Sequence, residues 1–219
     1  EKLFNEPPPP EECPICMLPL PTLYANCTTG MTGMSFHSCC GKSICDGCIH
    51  AMSETGGKNG ELCAYCRTLY AKSDEEEVER LKKLMEKGNA DAFYMLGGYY
   101  EDGSRGMPQD WAKANELYLK AGELGCAGAY YNLADSYDNG NGVEIDEKKA
   151  KQYWELAAMN GNVKARHNLG CMELEAGNYQ RAFRHLIISA RAGHKFSLDT
   201  VKEGFMARYV TKDEYANTL

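Results

Sequence analysis

Apolar and polar residues alternate with a helical period over the second part of the chain. At the start of this part the apolar residues lie three or four positions apart: Val78, Leu81, Leu84 and Met85. This spacing predicts an amphipathic helix over residues 73–88. Ser73 followed by Glu76 matches the capping box that begins many helices, and Gly88 can end the helix in a left-handed conformation.

The same helical pattern then repeats along the chain. The segments ADAFYMLGGYYEDG, AGAYYNLADSYDNG and VKARHNLGCMELEAG superpose, at residues 90–103, 127–140 and 163–177. A second helical segment follows each of them, at residues 110–125, 146–161 and 178–193. Leucines at one equivalent position recur at intervals of 37 and 36 residues: Leu96, Leu133 and Leu169. Paired helices with a period of this length predict an all-α solenoid.

We therefore expect a helical-repeat domain over residues 73–219. The helix at 73–88 is expected to cap it, and three repeats follow, at about residues 89–125, 126–161 and 162–193. Residues 194–219 are expected to form a terminal half-repeat that closes the stack.

The apolar residues of the repeats are expected to fill the core of the solenoid. Five aromatic residues lie at helical spacing: Tyr94, Tyr99, Tyr131, Tyr137 and Trp154. Three histidines are scattered, without a carboxylate or cysteine placed for a ligand set, and are interpreted as surface or core residues: His167, His185 and His194. Cys126 and Cys171 are expected to be buried packing thiols.

The repeats resemble Sel1-like repeats, which are related to tetratricopeptide repeats. The shared pattern is A-x(3)-LG-x(2)-Y-x(2)-G, an insertion, D-x(2)-KA and finally AA-x(2)-G. The match is strong in the first two repeats, whereas the third lacks the insertion between its helices. The resemblance implies a solenoid of helix pairs that binds a substrate or partner protein.

The first part of the chain lacks this periodicity and contains clustered cysteines instead. Three CxxC pairs and one adjacent pair occur within 54 residues: Cys13 and Cys16, Cys39 and Cys40, Cys45 and Cys48, Cys63 and Cys66. A CxxC turn places two thiolates at one edge of a tetrahedron around Zn²⁺, so eight thiolates suffice for two closed sites. We expect two zinc ions that supply much of the folding energy of residues 13–70.

Within this module the sequence predicts two knuckle turns, a short β-hairpin and one short helix after Cys48. Lys42 and the backbone N–H groups of the GKS turn are expected to donate toward the thiolates, and a solvated surface position is the alternative for Lys42. Cys27 is interpreted as a free thiol in a loop, and residues 56–60 as a flexible loop. Residues 1–12 are Pro-rich and acidic and predict a disordered or linker segment without a packing face.

Composition narrows the functional classes. Nine of the 11 cysteines precede residue 67 and are closely paired, which favours metal ligation over disulfides and a reducing compartment, the cytoplasm or the nucleus. The net charge of −7 makes the chain a poor partner for a phosphate backbone, so a nucleic-acid binder is the weakest hypothesis. We expect no membrane partner, since no apolar run approaches 18 residues.

The order of the cysteine pairs resembles the RING finger, the zinc module of ubiquitin ligases. The resemblance implies a cross-brace in which the first and third pairs bind one ion and the second and fourth pairs the other. One site then contains Cys13, Cys16, Cys45 and Cys48, and the other contains Cys39, Cys40, Cys63 and Cys66. The adjacent Cys39–Cys40 pair departs from the usual spacing, and His37 with Cys40 is an alternative pair. Ala64 is a second departure, because many members of the family have Pro there.

The RING resemblance also implies a surface that docks a ubiquitin-conjugating enzyme charged with ubiquitin. The implied contacts lie in the two outer cysteine pairs and in the helix after Cys48: Ile15, Ile49, Met52, Ala64 and Tyr65. Arg67 matches the linchpin arginine of active members, whose guanidinium contacts both ubiquitin and the conjugating enzyme. On this basis Arg67 is the one residue predicted to act in catalysis.

The leading hypothesis is a RING-type ubiquitin ligase whose repeats bind a substrate or partner. Such an enzyme acts by proximity and orientation, with no covalent intermediate on this chain. Phosphate loops, nucleophile elbows and HExxH motifs do not occur in the sequence, and four-coordinate zinc leaves no open position for hydrolysis. The alternative is a non-catalytic interaction scaffold with a structural zinc module.

Overall fold

The structure is a computed structural model that describes residues 2–5, 8–20, 33–54 and 61–218. Its two strands are β1 (Met34–His37) and β2 (Lys42–Cys45). Its first five helices are α1 (Asp46–Glu54), α2 (Asp74–Met85), α3 (Ala90–Asp102), α4 (Trp111–Glu123) and α5 (Ala127–Asn139). The remaining helices are α6 (Glu147–Met159), α7 (Val163–Glu175), α8 (Tyr179–Arg191), α9 (Lys195–Met206) and α10 (Lys212–Ala216). Cys27 and the predicted loop at 56–60 lie outside the described residues.

The cysteine-rich module contains a small hairpin. Strands β1 and β2 pair antiparallel, with Met34 opposite Cys45 and His37 opposite Lys42. Gly41 turns the chain between them with a φ of 67°, a left-handed conformation that suits glycine. Helix α1 follows β2 directly and begins at Asp46, two residues before Cys48, whereas the sequence predicted its start after Cys48.

Two turns of the same shape hold the first and last CxxC pairs. In each turn the N–H of the first cysteine donates to a carbonyl five residues ahead, from Cys13 to Leu18 and from Cys63 to Thr68, at 2.9 and 2.8 Å. The residue after each pair, Met17 or Arg67, has a φ near 60°. The predicted knuckle turns are therefore present, and they orient both cysteines of a pair toward one side.

Helices α3–α8 form three successive pairs, α3 with α4, α5 with α6 and α7 with α8, and each pair also packs on the next. Side chains cap the starts of four of these helices by accepting a backbone N–H: Asn89, Asp110, Asp146 and Asn162. The loops at 103–110 and 140–146 are longer than the short turn at 176–178, as the sequence predicted for the third repeat.

Small residues allow the paired helices to approach closely. A Cβ added to Gly97 would lie 2.7 Å from the Tyr118 ring, and one added to Gly170 would lie 2.7 Å from Leu186. Of the five predicted core aromatics, Tyr94, Tyr99 and Trp154 are buried. The other two, Tyr131 and Tyr137, pack against the core while partly exposed. The described helices include none that is long and apolar enough to span a membrane.

Helix α2 joins the cysteine-rich module to the repeats. Ser38 Oγ donates to Glu77 Oε2 at 2.6 Å, and Asn89 Nδ2 donates to the Gly41 carbonyl at 3.2 Å. Phe36 of the hairpin packs into the apolar cluster that α2 forms with α3. These contacts fix the module against the first helices of the solenoid.

The C-terminal end differs slightly from a half-repeat. Helix α9 packs on α8, and Gly204 lies so close to Phe183 that a Cβ would come within 2.2 Å of the ring. The five-residue helix α10 then begins at a capping box formed by Thr211 and Glu214. Two helices rather than one therefore close the stack.

The N-terminal segment packs on the repeats, whereas the sequence predicted a segment without a packing face. Residues Lys2–Phe4 form a 3-10 turn, Leu3 packs against the apolar cluster of α5–α7, and Phe4 contacts the ring of His185. The linker prediction rested on Pro7–Pro10 and its acidic neighbours. It overlooked the two apolar residues that precede the prolines.

Candidate metal centres and interaction surfaces

The fold brings the eight paired cysteines into two groups of four. Within each group the four Sγ atoms lie within 4.8 Å of one another. The groups are Cys13, Cys16, Cys45 and Cys48, and Cys39, Cys40, Cys63 and Cys66. This is the grouping that the RING resemblance implies. It arises because Cys39 and Cys40, at the turn of the hairpin, point to one side, whereas Cys45, at its end, points to the other.

The sulfur separations fit a tetrahedral metal ion. Cys13 and Cys48 lie 3.9 Å apart and Cys16 and Cys45 lie 3.7 Å apart. In the second group, Cys40 lies 3.9 Å from Cys63, and Cys66 lies 3.4 Å from Cys39. Four thiolates at about 2.3 Å from Zn²⁺ are separated by about 3.8 Å. Each group can therefore hold one metal ion with four sulfur ligands.

Backbone N–H groups lower the pKa of one thiol in each group. Burial raises the pKa of Cys13, but backbone N–H groups of Cys16, Cys45 and Ile15 outweigh it and lower the pKa to about 6. Burial likewise opposes the hydroxyl and N–H of Thr68, which lower the pKa of Cys66 to about 6. Donors of this kind stabilise thiolate, the form that binds metal.

The N–H of Lys42, in the GKS turn, acts on Cys40 in the same direction. Burial is the larger influence there and raises the pKa of Cys40 to about 11. The predicted role of the GKS turn as a source of N–H donors therefore has a geometric basis. The Lys42 side chain itself is exposed.

His37, the alternative ligand, lies outside both groups. It is buried, its ring stacks on Tyr70 with centroids 5.5 Å apart, and its Nε2 has no hydrogen-bond partner among the described residues. Burial lowers the pKa of the imidazole, which therefore stays neutral near pH 7. The structure places Cys39 in the ligand group instead, because both adjacent cysteines of the turn face Cys63 and Cys66.

The implied docking surface is apolar and partly open. Ile15 is 40% exposed and Tyr65 is 46% exposed, one in each knuckle turn. Ile49, Met52 and Ala64 are half-buried. Met17 and Leu18, which sequence reasoning did not single out, are two further exposed apolar residues in and next to the first knuckle turn. Their signal was present in the sequence, as consecutive apolar residues immediately after a ligand pair.

Arg67 lies at the edge of this surface. Its side chain is exposed, its Nη1 lies 3.6 Å from Met52 Sδ, and it forms no ion pair within the described part of the chain. The guanidinium is therefore available to an incoming partner.

The scattered histidines and cysteines of the repeats occupy varied environments. His185 is fully buried, while His167 and His194 both contact the Ser197 hydroxyl at 2.9 Å. Cys171 Sγ lies 3.6 Å from His167 Nε2. Cys171 is half-buried, and Cys126 occupies the N-cap of α5 rather than a position within it.

A cluster of basic residues on α7 and α8, which sequence reasoning missed, surrounds Phe4. We call it the Phe4 site; it consists of Arg166 on α7 and Arg181, Arg184 and His185 on α8. The guanidinium of Arg184 lies 3.8 Å from the centroid of the Phe4 ring. The sequence signal was the Leu3–Phe4 pair, which is apolar within an otherwise polar segment.

Comparison with known proteins supports the helical part of the chain directly. The Sel1 repeat family matches residues 90–126, 127–162 and 163–194. A Sel1 repeat protein from Oxalobacter formigenes superposes with a TM-score of 0.57 at 25% identity, covering 64% of this chain and 60% of that one. A protective antigen of uropathogenic Escherichia coli with an SLR fold superposes with a TM-score of 0.59 at 24% identity, over 73% of this chain and 36% of its own.

Curated relatives share only part of their length with this chain. The ERAD-associated E3 ubiquitin-protein ligase component HRD3B of Arabidopsis thaliana is 32% identical over 113 residues, 51% of this chain and 18% of its own length. HRD3A of the same plant is 35% identical over 87 residues, 38% of this chain and 13% of its own. Chitin synthase regulatory factor 4 of Schizosaccharomyces pombe is 30% identical over 113 residues, 18% of its length.

These matches establish that residues 90–194 are three Sel1 repeats. The family match does not extend to the cysteine-rich module, whose interpretation rests on its two groups of thiols.

Proposed function

We propose that this protein is an interaction scaffold in which the Sel1 repeats bind a partner protein and a zinc-stabilised module presents a second binding surface. One observation carries the proposal: three Sel1 repeats form a continuous stack, and the cysteine-rich module is fixed to its first helices through Ser38, Gly41 and Phe36. A module fixed in this way holds two bound proteins at a defined separation.

Zinc is the metal we propose for both cysteine groups. Four thiolates in a tetrahedral arrangement are typical of structural zinc sites, which lack an open position for substrate. A bound zinc ion would supply a cross-link in each group, between two cysteine pairs that are distant in sequence. The module's own residues then present Ile15, Tyr65 and Arg67 at its surface.

Cross-linking mass spectrometry tests the scaffold. The protein is isolated from its natural source with its bound partners, and lysine cross-links are mapped. We expect partner cross-links on the repeats, for example at Lys113, Lys148 and Lys164, as well as a separate set on the module. Cross-links confined to residues 13–70 would contradict a partner-binding role for the repeats.

The second candidate function is that of a RING-type ubiquitin ligase, favoured by the exposed apolar residues in both knuckle turns beside an exposed Arg67. In this reading, Ile15 and Tyr65 dock a ubiquitin-conjugating enzyme, and Arg67 donates hydrogen bonds that hold the conjugated ubiquitin in a reactive orientation. The repeats would then bring the substrate. The names of the two Arabidopsis relatives, both ubiquitin-ligase components, support an association with this pathway.

A ligation assay tests the ligase. The zinc-loaded chain is incubated with activating enzyme, a panel of conjugating enzymes and ubiquitin, in parallel with Ile15→Ala and Arg67→Lys. We expect ubiquitin chains with at least one conjugating enzyme and at least about a tenfold loss in each variant, because lysine lacks the planar guanidinium fork and alanine lacks the apolar anchor. Ile145→Ala, which truncates an exposed apolar residue of the repeats, is the matched control.

Inactivity with every conjugating enzyme would contradict the ligase function but not the scaffold function. Activity that both module variants retain would contradict the assigned surface.

A further inference from the structure

The N-terminal segment contacts the repeats as a bound peptide would. The Phe4 ring lies 4.6 Å from the ring of His185 between centroids, with the guanidinium of Arg184 over one face at 3.8 Å and that of Arg181 at 5.8 Å. Leu3, on the other side of the turn, packs against the apolar cluster that contains Trp154. An aliphatic and an aromatic side chain thus occupy two adjacent subsites.

The polar part of the site recognises peptide backbone. Arg166 is only 2% exposed, and its guanidinium donates to the carbonyl oxygens of Leu3 and Asn5. A buried guanidinium without acceptors is strongly unfavourable, and residues 3–5, which help to bury this one, supply two carbonyl acceptors to it. Any peptide that turns in the same way supplies them, whatever its side chains.

Buried polar atoms remain available beside the occupant. His185 is fully buried, and neither its Nδ1 nor its Nε2 has a hydrogen-bond partner among the described residues; the same holds for Arg166 Nε. Residues 3–5 therefore provide hydrogen-bond partners for only some of the buried polar atoms of the site. A ligand that adds a hydrogen bond to one of these atoms would bind more strongly than the segment now in place.

The charge of the site selects acidic sequences. Arg181 pairs with Glu155 at 3.7 Å and with Glu173 at 3.1 Å, and Glu173 also pairs with Lys151 at 2.9 Å. Arg166 and Arg184 have no carboxylate partner within the described part of the chain, so the site keeps an excess of positive charge. Residues 1–6 of the sequence contain two glutamates and one lysine, a net charge of −1. An acidic peptide with an adjacent aliphatic–Phe pair matches both the subsites and the charge.

We propose that the Phe4 site is the peptide-recognition site of the repeats and that residues 3–5 are an internal competitor for it. The partner ligand is an acidic segment of another protein that carries an aliphatic residue followed by Phe. This inference rests on the proposed scaffold function and specifies its partner. Because the competitor belongs to the same chain, its effective concentration is high, and a partner binds only as the competitor leaves.

Peptide binding to the zinc-loaded chain of residues 1–219 tests the proposal. The probe is a fluorescent peptide with the sequence of residues 1–6, EKLFNE, and binding is followed by fluorescence anisotropy. Phe4→Ala removes the aromatic anchor of the internal competitor and leaves the site intact. We expect the apparent Kd of the probe to be at least about tenfold lower for Phe4→Ala than for the wild type.

Two controls define the contacts. The peptide EKLANE should not bind Phe4→Ala measurably. Adding Arg184→Ala to Phe4→Ala should weaken probe binding about fivefold or more by removing the cation–π contact, whereas adding Lys202→Ala, an equal loss of charge on α9, should not. Arg184 and Lys202 are both exposed, so neither variant threatens the fold.

Three results would overturn the inference. If the probe fails to bind Phe4→Ala, the Phe4 site is not a peptide-recognition site; partner cross-links on other parts of the repeats would still support the scaffold. If the probe binds the wild type and Phe4→Ala with equal affinity, residues 3–5 do not compete for the site. Sedimentation shows a wild-type dimer that Phe4→Ala dissociates, in which case the segment belongs to a second copy.

Discussion

At the scale of single residues, the assignment of the second metal group depends on residues 37–40. The sequence left Cys39 and His37 as alternatives, and the structure separates them by their surroundings. Cys39 lies 3.4 Å from Cys66, whereas His37 stacks on Tyr70 and lies outside both thiol groups. The deciding factor is the turn after β1, which brings consecutive side chains of residues 39 and 40 to the same side.

This assignment predicts the zinc content of two variants. Cys39→Ser should reduce bound zinc from two ions to one per chain, because three thiolates hold zinc much less tightly than four. His37→Phe should keep both ions and preserve the stacking on Tyr70. Native mass spectrometry measures the stoichiometry, with Cys171→Ser as the matched cysteine control. Only one bound ion in His37→Phe would show that His37 is a zinc ligand.

His185 predicts a dependence of stability on pH. Burial, followed by the charges of Arg166 and Arg181, lowers its pKa from 6.5 to about 4. The unfolded chain therefore takes up a proton between pH 6.5 and pH 4 while the folded chain does not. The stability that this neutral imidazole contributes is complete above pH 6.5 and is lost as the pH falls through that window.

His185→Phe removes this titration and keeps a ring beside Phe4. Relative to the wild type, the free energy of unfolding of the variant should rise by about 2 kcal/mol between pH 7 and pH 5. Denaturant unfolding of both proteins at the two pH values, with zinc in excess, measures the difference. A difference that does not change with pH would show that folding does not lower the pKa of His185.

At the scale of elements, the contact between the hairpin and α2–α3 depends on a glycine. Gly41 has a φ of 67°, and a Cβ there would lie 2.8 Å from Asn89 Nδ2 and 3.1 Å from Leu84. Both the backbone conformation and the close approach therefore exclude a side chain. Asn89 has a double role, because it caps α3 and also donates to the Gly41 carbonyl.

Gly41→Ala should accordingly lower the free energy of unfolding by about 1–3 kcal/mol, through left-handed strain and displacement of Asn89. Gly47→Ala is the matched control, since Gly47 lies in α1, where an added Cβ would have nothing within 4 Å, and should tolerate alanine. Urea unfolding with bound zinc measures both. Equal stability of the two variants would show that the joint between the hairpin and α2–α3 can rearrange.

At the scale of the whole molecule, the apolar clusters separate into those of the repeats and that of the module. The module cluster is built around Ile44 and the cysteines, whereas the other clusters consist mainly of helix residues, with contributions from outside α2–α10 that include Phe36 and Leu3. The repeats thus have a core of their own, and the module depends on its metal ions.

Removing zinc should therefore unfold the module and leave the solenoid helical. A strong chelator should retain most of the circular dichroism at about 222 nm while abolishing protease protection of residues 13–66. The midpoint of helix melting should fall by a few degrees, because the contacts of Ser38 and Gly41 with α2 and α3 are lost. Loss of most of the helical signal on chelation would show that the solenoid needs the module to fold.

Much of this architecture is determined by the sequence itself. Helical period and a repeat length of 36–37 residues specify the solenoid, because each helix pair can bury its apolar face only against the next pair. The cysteine spacings specify the knuckle turns, since a CxxC pair closes locally. The pairing of those turns came from family resemblance rather than spacing, and the structure brings the same cysteines together.

Tertiary structure alone decided the contacts between segments that are distant in sequence. The apolar character of Leu3 and Phe4 is visible in the sequence, yet their position against α6–α8 depends on how the stack presents Arg166 and His185, far along the chain. The position of the module against α2 and α3 likewise depends on the contact between Gly41 and Asn89, which are 48 positions apart. Local patterns encode elements, but such contacts depend on the relative placement of elements, which no local period records.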